Sequence, residues 1–232
     1  IPASTAIETL RDSGYKSTAS ALAELIDNSI EADADNIQVL TFEDEVQGRQ
    51  RMLTKITEIM VYDDGMGMTE DVLNICLQFG NGTRLASRDG IGRFGIGLPN
   101  ASISQCKRVE VYSWRDGHCY FTYLDVKEVK DKEQHFVNTV EKVDIPRKLL
   151  EKVDGHVKDS GTIILWKNCD RLDISRARTL FKKLEKELCR SYRHFLDHDD
   201  SYGRHRNIKL INTSDDKTIE LRDRKSTRLN SS

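Results

Sequence analysis

The chain of 232 residues is 38% hydrophobic and 32% charged, with a formal net charge of −2. That length suffices for one full domain and part of a second, and the near-neutral balance removes any whole-chain case for a nucleic-acid or membrane surface. No apolar run approaches the roughly 20 residues that span a bilayer, and no signal-like segment opens the chain. The five cysteines, Cys76, Cys106, Cys119, Cys169 and Cys189, are widely spaced and lack a C-x-x-C pair. Reduced thiols in a cytoplasmic (intracellular) protein are the simplest reading.

Residues 3–12 read as a short helix closed by the turn signal Ser13-Gly14. A longer helix over 17–32 carries the stripe Leu22, Leu25, Ile26 and Ile30. Strands are expected over 36–42 and 56–62, with 43–50 as a polar connection. Thr69 is placed to cap a helix reaching residue 79, with Glu70 and Asp71 in its first turn. Residues 80–97 hold six glycines and little to anchor a regular element, which suits a functional loop. A helix over 98–105, strands over 108–114 and 118–126, and a charged turn or loop over 127–133 follow. Beyond them come a buried strand over 162–166, one long amphipathic helix over 175–196 and a strand beginning over 208–211. Helices mixed with hairpin-joined strands predict an α+β fold, a two-layer sandwich rather than a doubly wound sheet.

The chain opens at Ile1 and closes on a polar run, residues 223–232, that reads like the in-frame translation of a sequencing-library adapter. The expectation is that natural sequence stops near Arg222 and that the chain is incomplete at both ends.

Gly90-Ile91-Gly92-Arg93-Phe94-Gly95 is a literal G-x-G-x-x-G, but a polar loop precedes it where a dinucleotide fold needs a strand. A P-loop is excluded too, because Ile96-Gly97 stands where Lys-Ser/Thr is required. Three other patterns carry more. Glu24-Leu25-Ile26-Asp27-Asn28 places a carboxylate and an amide one helical turn apart on one face. Asp63-Asp64-Gly65-Met66-Gly67 puts a carboxylate at a strand end, beside glycines that admit a close ligand. Gly92-Arg93-Phe94-Gly95-Ile96-Gly97 runs into a helix start, a seat for an anion. Taken singly, each also has an ordinary structural account: a solvated helix face, a strand-ending turn and a flexible loop.

In this order, on helix, strand end and loop-to-helix, the three patterns resemble the ATP-site motifs of the GHKL (Bergerat-fold, histidine kinase-like ATPase) superfamily. Ser160-Gly161-Thr162 resembles the later Gly-Thr strand of the same site. The wording is closest to the MORC, MutL and heat-shock-90 branches. The resemblance covers roughly residues 3–167. It implies a Bergerat fold with a mixed sheet and helices on one face, an ATP-binding domain over 1–170, and a partial transducer-like start of a second domain over 171–222.

Carried over by position, the resemblance makes Glu24 the base that activates the attacking water. Histidine kinases carry Asn there, which favours hydrolysis over phosphotransfer. Asn28 would hold Mg²⁺, and Asp63 would accept the adenine amino group with Thr162 assisting. Gly65, Gly67 and Met68 would line the nucleotide, while Gly92, Gly95, Ile96, Gly97 and Leu98 would cradle the phosphates. Residues 80–89 would be a lid, with Arg84, Arg88 or Arg93 as phosphate contacts. The implied activity is slow, Mg²⁺-dependent ATP hydrolysis coupled to lid closure and an ATP-dependent homodimer, with no membrane partner and no nucleic-acid surface indicated in this stretch. Two alternatives are a non-catalytic ATP-sensing module and a histidine-kinase-like phosphotransferase. The latter needs an upstream phospho-accepting histidine, and no histidine precedes His118.

Overall fold

The computed structural model describes residues 2–78, 97–132, 139–197, 204–215 and 217–222. Helix α1 (Ala3–Ser13) leads to α2 (Thr18–Glu31), which starts where the Ser17 hydroxyl accepts the Ser20 N–H. Leu22, Leu25 and Ile26 are fully buried, so the expected stripe is the face that α2 lays on the core.

The strands are β1 (Asn36–Gln47), β2 (Met52–Asp63), β3 (Arg108–Arg115), β4 (His118–Asp125), β5 (Glu141–Val143), β6 (Gly161–Lys167), β7 (Asn207–Asn212) and β8 (Lys217–Glu220). They form one sheet in the order β5-β4-β3-β6-β2-β1-β7-β8. Every neighbour pair is antiparallel except β1 and β7, which run parallel, so the sheet is mixed.

Alternation along the strands separates two cores. Ile59 and Val61 of β2, Val109 and Val111 of β3, and Ile164 and Trp166 of β6 face the helices. Met60, Tyr62, Trp114, Ile163 and Leu165 face the other way. There α6 (Arg147–Leu150) and the loop carrying Val153 and Val157 cover them. On the helix side lie α3 (Glu70–Cys76), capped by Thr69, and α4 (Gly97–Ile103).

Several boundaries differ from those expected, each for a local reason. β1 and β2 run past residues 42 and 56 into a charged overhang, because a register shift at Phe42/Glu43 breaks the alternation there without ending the pairing. Residues 127–132 are helical: in α5 (Val126–Lys132) Asp125 accepts the N–H groups of Lys127 and Glu128, and Val126 and Val129 dock on the core. The single helix expected over 175–196 is two, α7 (Ala177–Ser191) and α8 (Arg193–Leu196). Tyr192 leaves helical geometry between them, where its hydroxyl reaches the Ala23 carbonyl and Asp27 on α2.

The segment read as transducer-like, 171–222, supplies α7, α8, β7 and β8. Leu180, Leu184 and Leu188 of α7 lie in the helix-side core, and β7 pairs with β1. Among the described residues this segment is therefore part of the same sheet and core and does not stand apart as a second body. The run 223–232 lies outside the described residues.

Candidate functional site

The alternation that builds the core also aims the site. Two residues on from Val61, Asp63 points to the helix side. Thr162 stands two before Ile164 and Ser113 two after Val111, so both share its face. Register puts the three side by side, Asp63 opposite Thr162 and Thr162 opposite Ser113. Asp63 and Thr162 line a cleft together with Asn28, Ser29, Ala32, Gly67, Met68, Leu98 and Ile164, with about 330 Å³ of empty space counted to its open mouth.

Asp63 is 4% exposed and has no ion-pair partner among the described residues. Its carboxylate accepts the Ser29 hydroxyl at 3.1 Å and the Gly65 N–H at 2.9 Å. Burial pushes its pKa up to about 7. The two donors pull the value down, and the adjacent Asp64 charge adds to the rise. Asp64 follows the opposite course. It accepts the N–H groups of Asp35 and Asn36, the Asn36 amide, and the Lys158 ammonium at 2.9 Å. Burial alone would raise its pKa, but these donors together hold it below the ordinary value.

The glycines are where chain meets chain. A Cβ at Gly65 would lie 2.6 Å from the Ala32 carbonyl oxygen, and Gly67 adopts φ +69° with the Trp114 carbonyl 2.5 Å from where its Cβ would be. The hydroxyl of Ser113 then fixes the cleft's rim. It accepts the Met68 N–H at 2.7 Å, sits 3.0 Å from the Thr162 hydroxyl and donates to the Gly161 carbonyl. The Ser160 hydroxyl closes the other side by donating to the Gly65 carbonyl at 2.8 Å.

Glu24 lies one turn before Asn28 on α2, half-buried. Its Oε2 accepts the Tyr15 hydroxyl at 3.0 Å. A Cβ at Gly97 would fall on its Oε1, so α4 begins directly against this carboxylate. Leu98, the next residue, is buried in the cleft wall.

Of the residues singled out from the sequence, Asn28, Asp63, Gly67, Met68, Leu98 and Thr162 line one cleft, Gly65 adjoins it, and Glu24 touches Gly97 at the start of α4. Gly92, Gly95 and Ile96, with Arg84, Arg88 and Arg93, lie outside the described residues. Sequence reasoning missed Ser29, Ser113 and Tyr15. Ser29 had a signal, since it follows Asn28 on a helix packed over a strand end. Ser113 and Tyr15 are placed by cross-strand register and a loop, which no local spacing reveals. Among the described residues no cluster of three or more histidine, cysteine or acidic side chains is arranged for a metal.

Two solved structures share this fold. One is the topoisomerase IV ATP-binding domain of Francisella tularensis in complex with a small-molecule inhibitor, at 19% identity and a TM-score of 0.53 over 91% of this chain and 52% of that one. The other is the 43K ATPase domain of Thermus thermophilus gyrase B in complex with an aminocoumarin, at 14% identity and a TM-score of 0.52 over 88% and 45%. The chain thus spans about half the length of each. No curated protein matches it. The family described as histidine kinase-, DNA gyrase B-, and HSP90-like ATPase matches residues 15–160, a span that holds α2, the end of β2 and the start of α4. That match covers more than half of the sequence, and the chain belongs to this ATPase family.

Proposed function

We propose that the protein binds Mg·ATP in the cleft between α2 and the ends of β2 and β6, and hydrolyses it slowly. The observation that supports this most is Asp63: a nearly fully buried carboxylate, uncompensated by a cation among the described residues, on the floor of a cleft. Two donors leave part of its lone-pair capacity free, which suits a donor-bearing ring edge such as the adenine amino group. Guanine would present a carbonyl oxygen there and be repelled. Thr162 and Ser113 add hydroxyls beside it.

Glu24 is assigned as the general base. It takes a proton from the water that attacks the γ-phosphorus, as the bond to the ADP oxygen breaks and inorganic phosphate leaves. Asn28 offers one neutral oxygen donor at the cleft, which fits Mg²⁺, an ion that keeps several waters and binds largely through substrate phosphates. Bound there, the ion would offset phosphate charge. Gly97 and Leu98, with Gly92, Gly95 and Ile96, complete the proposed phosphate seat, and Gly65, Gly67 and Met68 the nucleotide wall. Closure of residues 80–89 over the phosphates, an ATP-dependent homodimer and an intracellular setting belong to the same reading. No helix among the described residues is long and apolar enough to cross a membrane.

Glu24→Ala tests the reading. Calorimetric ATP affinity should stay at the wild-type level while single-turnover hydrolysis falls to a small residual rate. Hydrolysis by Glu24→Ala at the wild-type rate refutes the assignment.

A further inference from the structure

We propose that Tyr15 is a positioning residue for Glu24, and that α4 holds both ends of the arrangement. This rests on the reading of Glu24 as the base. A glutamate side chain in mid-helix has three rotatable bonds and no intrinsic reason to aim at one point. Here one carboxylate oxygen takes the Tyr15 hydroxyl at 3.0 Å and the other lies against Gly97. The neighbouring acid on the helix, Asp27, has a tyrosine of its own, the Tyr192 hydroxyl at 2.6 Å. Tyr15 is thereby left to Glu24.

The backbone that carries Tyr15 is itself fixed. Its carbonyl accepts the Gln105 amide at 2.8 Å, and the Gln105 side-chain oxygen accepts the Thr18 hydroxyl at 2.8 Å. Gln105 is fully buried, and its N–H bonds to the carbonyl of Ser102 in α4. The circuit therefore closes: the first residue of α4 abuts Glu24, and the turn after its last residue clamps the loop whose phenol grips the same carboxylate. Displacing α4 along its axis would disturb both contacts together. The Tyr15 hydroxyl also feels this neighbour: burial first, then the Glu24 hydrogen bond and charge, raise its pKa above the ordinary value.

Three measurements on the full chain decide the matter. Tyr15→Phe should lower the single-turnover rate about tenfold to a hundredfold, the scale expected when a reacting group is misplaced by about an ångström. ATP affinity and the urea midpoint should remain wild-type, a split that a merely structural tyrosine would not give. In a Glu24→Ala background the same change should remove nothing further from the residual rate, because the two act as a unit. Independently of turnover, ¹³Cζ-tyrosine NMR should show Tyr15 titrating above free tyrosine in the wild type and closer to it in Glu24→Ala. A wild-type rate in Tyr15→Phe, with Glu24→Ala inactive, overturns the proposal. So does an unchanged Tyr15 titration in Glu24→Ala, which also decides the case if Tyr15→Phe does not fold. Turnover surviving in Glu24→Ala instead removes the base assignment, an outcome the NMR comparison keeps separate.

Discussion

Asp63→Asn should make the ligand-free protein more stable at alkaline pH while weakening its hold on ATP. Burial raises the Asp63 pKa from 3.8 to about 7. At about 1.4 kcal/mol per pH unit, keeping this carboxylate charged inside the fold costs at most about 4 kcal/mol. Because the folded value lies above the unfolded one, the stability is fully present below pH about 4 and is lost as pH rises through about 7. Asparagine has nothing to ionise and nearly the same shape. Its oxygen can accept the Gly65 N–H, and its amide can donate to Ser29, whose hydroxyl already has the Leu25 carbonyl as a second partner. Urea unfolding of both proteins at pH 5 and pH 8 should show the variant's advantage widening by up to about 3 kcal/mol between them. Calorimetry should show ATP affinity falling about tenfold to a hundredfold, the worth of a hydrogen bond to a charged group. A carboxylate kept for architecture behaves in the opposite way. If Asp63→Asn is the less stable protein at pH 8, or binds ATP as tightly as the wild type, Asp63 is structural and the cleft loses its ligand.

Asp64→Asn, one residue on, should destabilise the fold by about 2–3 kcal/mol, because it strips charge from a site that backbone N–H groups and Lys158 are set to meet. Its depressed pKa means that this deficit is present above pH about 4 and closes on acidification below it, so a gap that persists at low pH contradicts the account. Gly97→Ala should push the Glu24 carboxylate aside and cost about tenfold to a hundredfold in single-turnover rate with an unchanged urea midpoint; wild-type hydrolysis in that variant dismisses the contact. Binding of adenosine, which has no phosphate to titrate, should release a proton near pH 7 as its amino group selects ionised Asp63. Calorimetry in two buffers of different ionisation enthalpy reads that release, and identical heats count against it.

Helix α2 was legible because its stripe has helical spacing, and that assignment placed Glu24 and Asn28 one turn apart. The cores of β2, β3 and β6 were legible because their apolar runs are bounded by turn residues. The overhang of β1 was hidden by a bulge, and α5 by its charge, although Asp125 before Val126 and Val129 was a readable start. Strands β5 and β8 and helix α6 are three or four residues long, too short to show periodicity. For 171–222, spacing revealed an amphipathic helix and a strand but not their partner. That β7 joins the sheet beside β1 is a long-range pairing which local sequence does not encode. In the cleft, Asp63 and Thr162 were legible as motif residues. Ser113, midway in a strand of ordinary appearance, became part of the site only through its register with Thr162.

The pair Asp63-Asp64 shows how the fold completes one buried acid and leaves its neighbour short of donors. At the end of β2 the pleat sends Asp63 to the helix side, and the chain then turns so that Asp64 meets the corner between α2 and β1. Asp64 finds two backbone N–H groups, an amide and an ammonium, and its charge is satisfied within the molecule. That satisfaction matters to its neighbour, because an unpaired charge at Asp64 would make ionisation of Asp63 harder still. Among the described residues Asp63 receives only the Ser29 hydroxyl and the Gly65 N–H, too little to offset full burial, and its pKa rises instead of falling. Two adjacent carboxylates of equal intrinsic strength thus differ in what they lack. One is complete, and the other is short of a donor on the side that faces an open cleft. On the proposed reading, a ligand amino group at that position would supply the missing hydrogen bond and recover part of the energy that ionisation costs the empty protein, so affinity and selectivity for a donor-bearing base would arise from the same deficit.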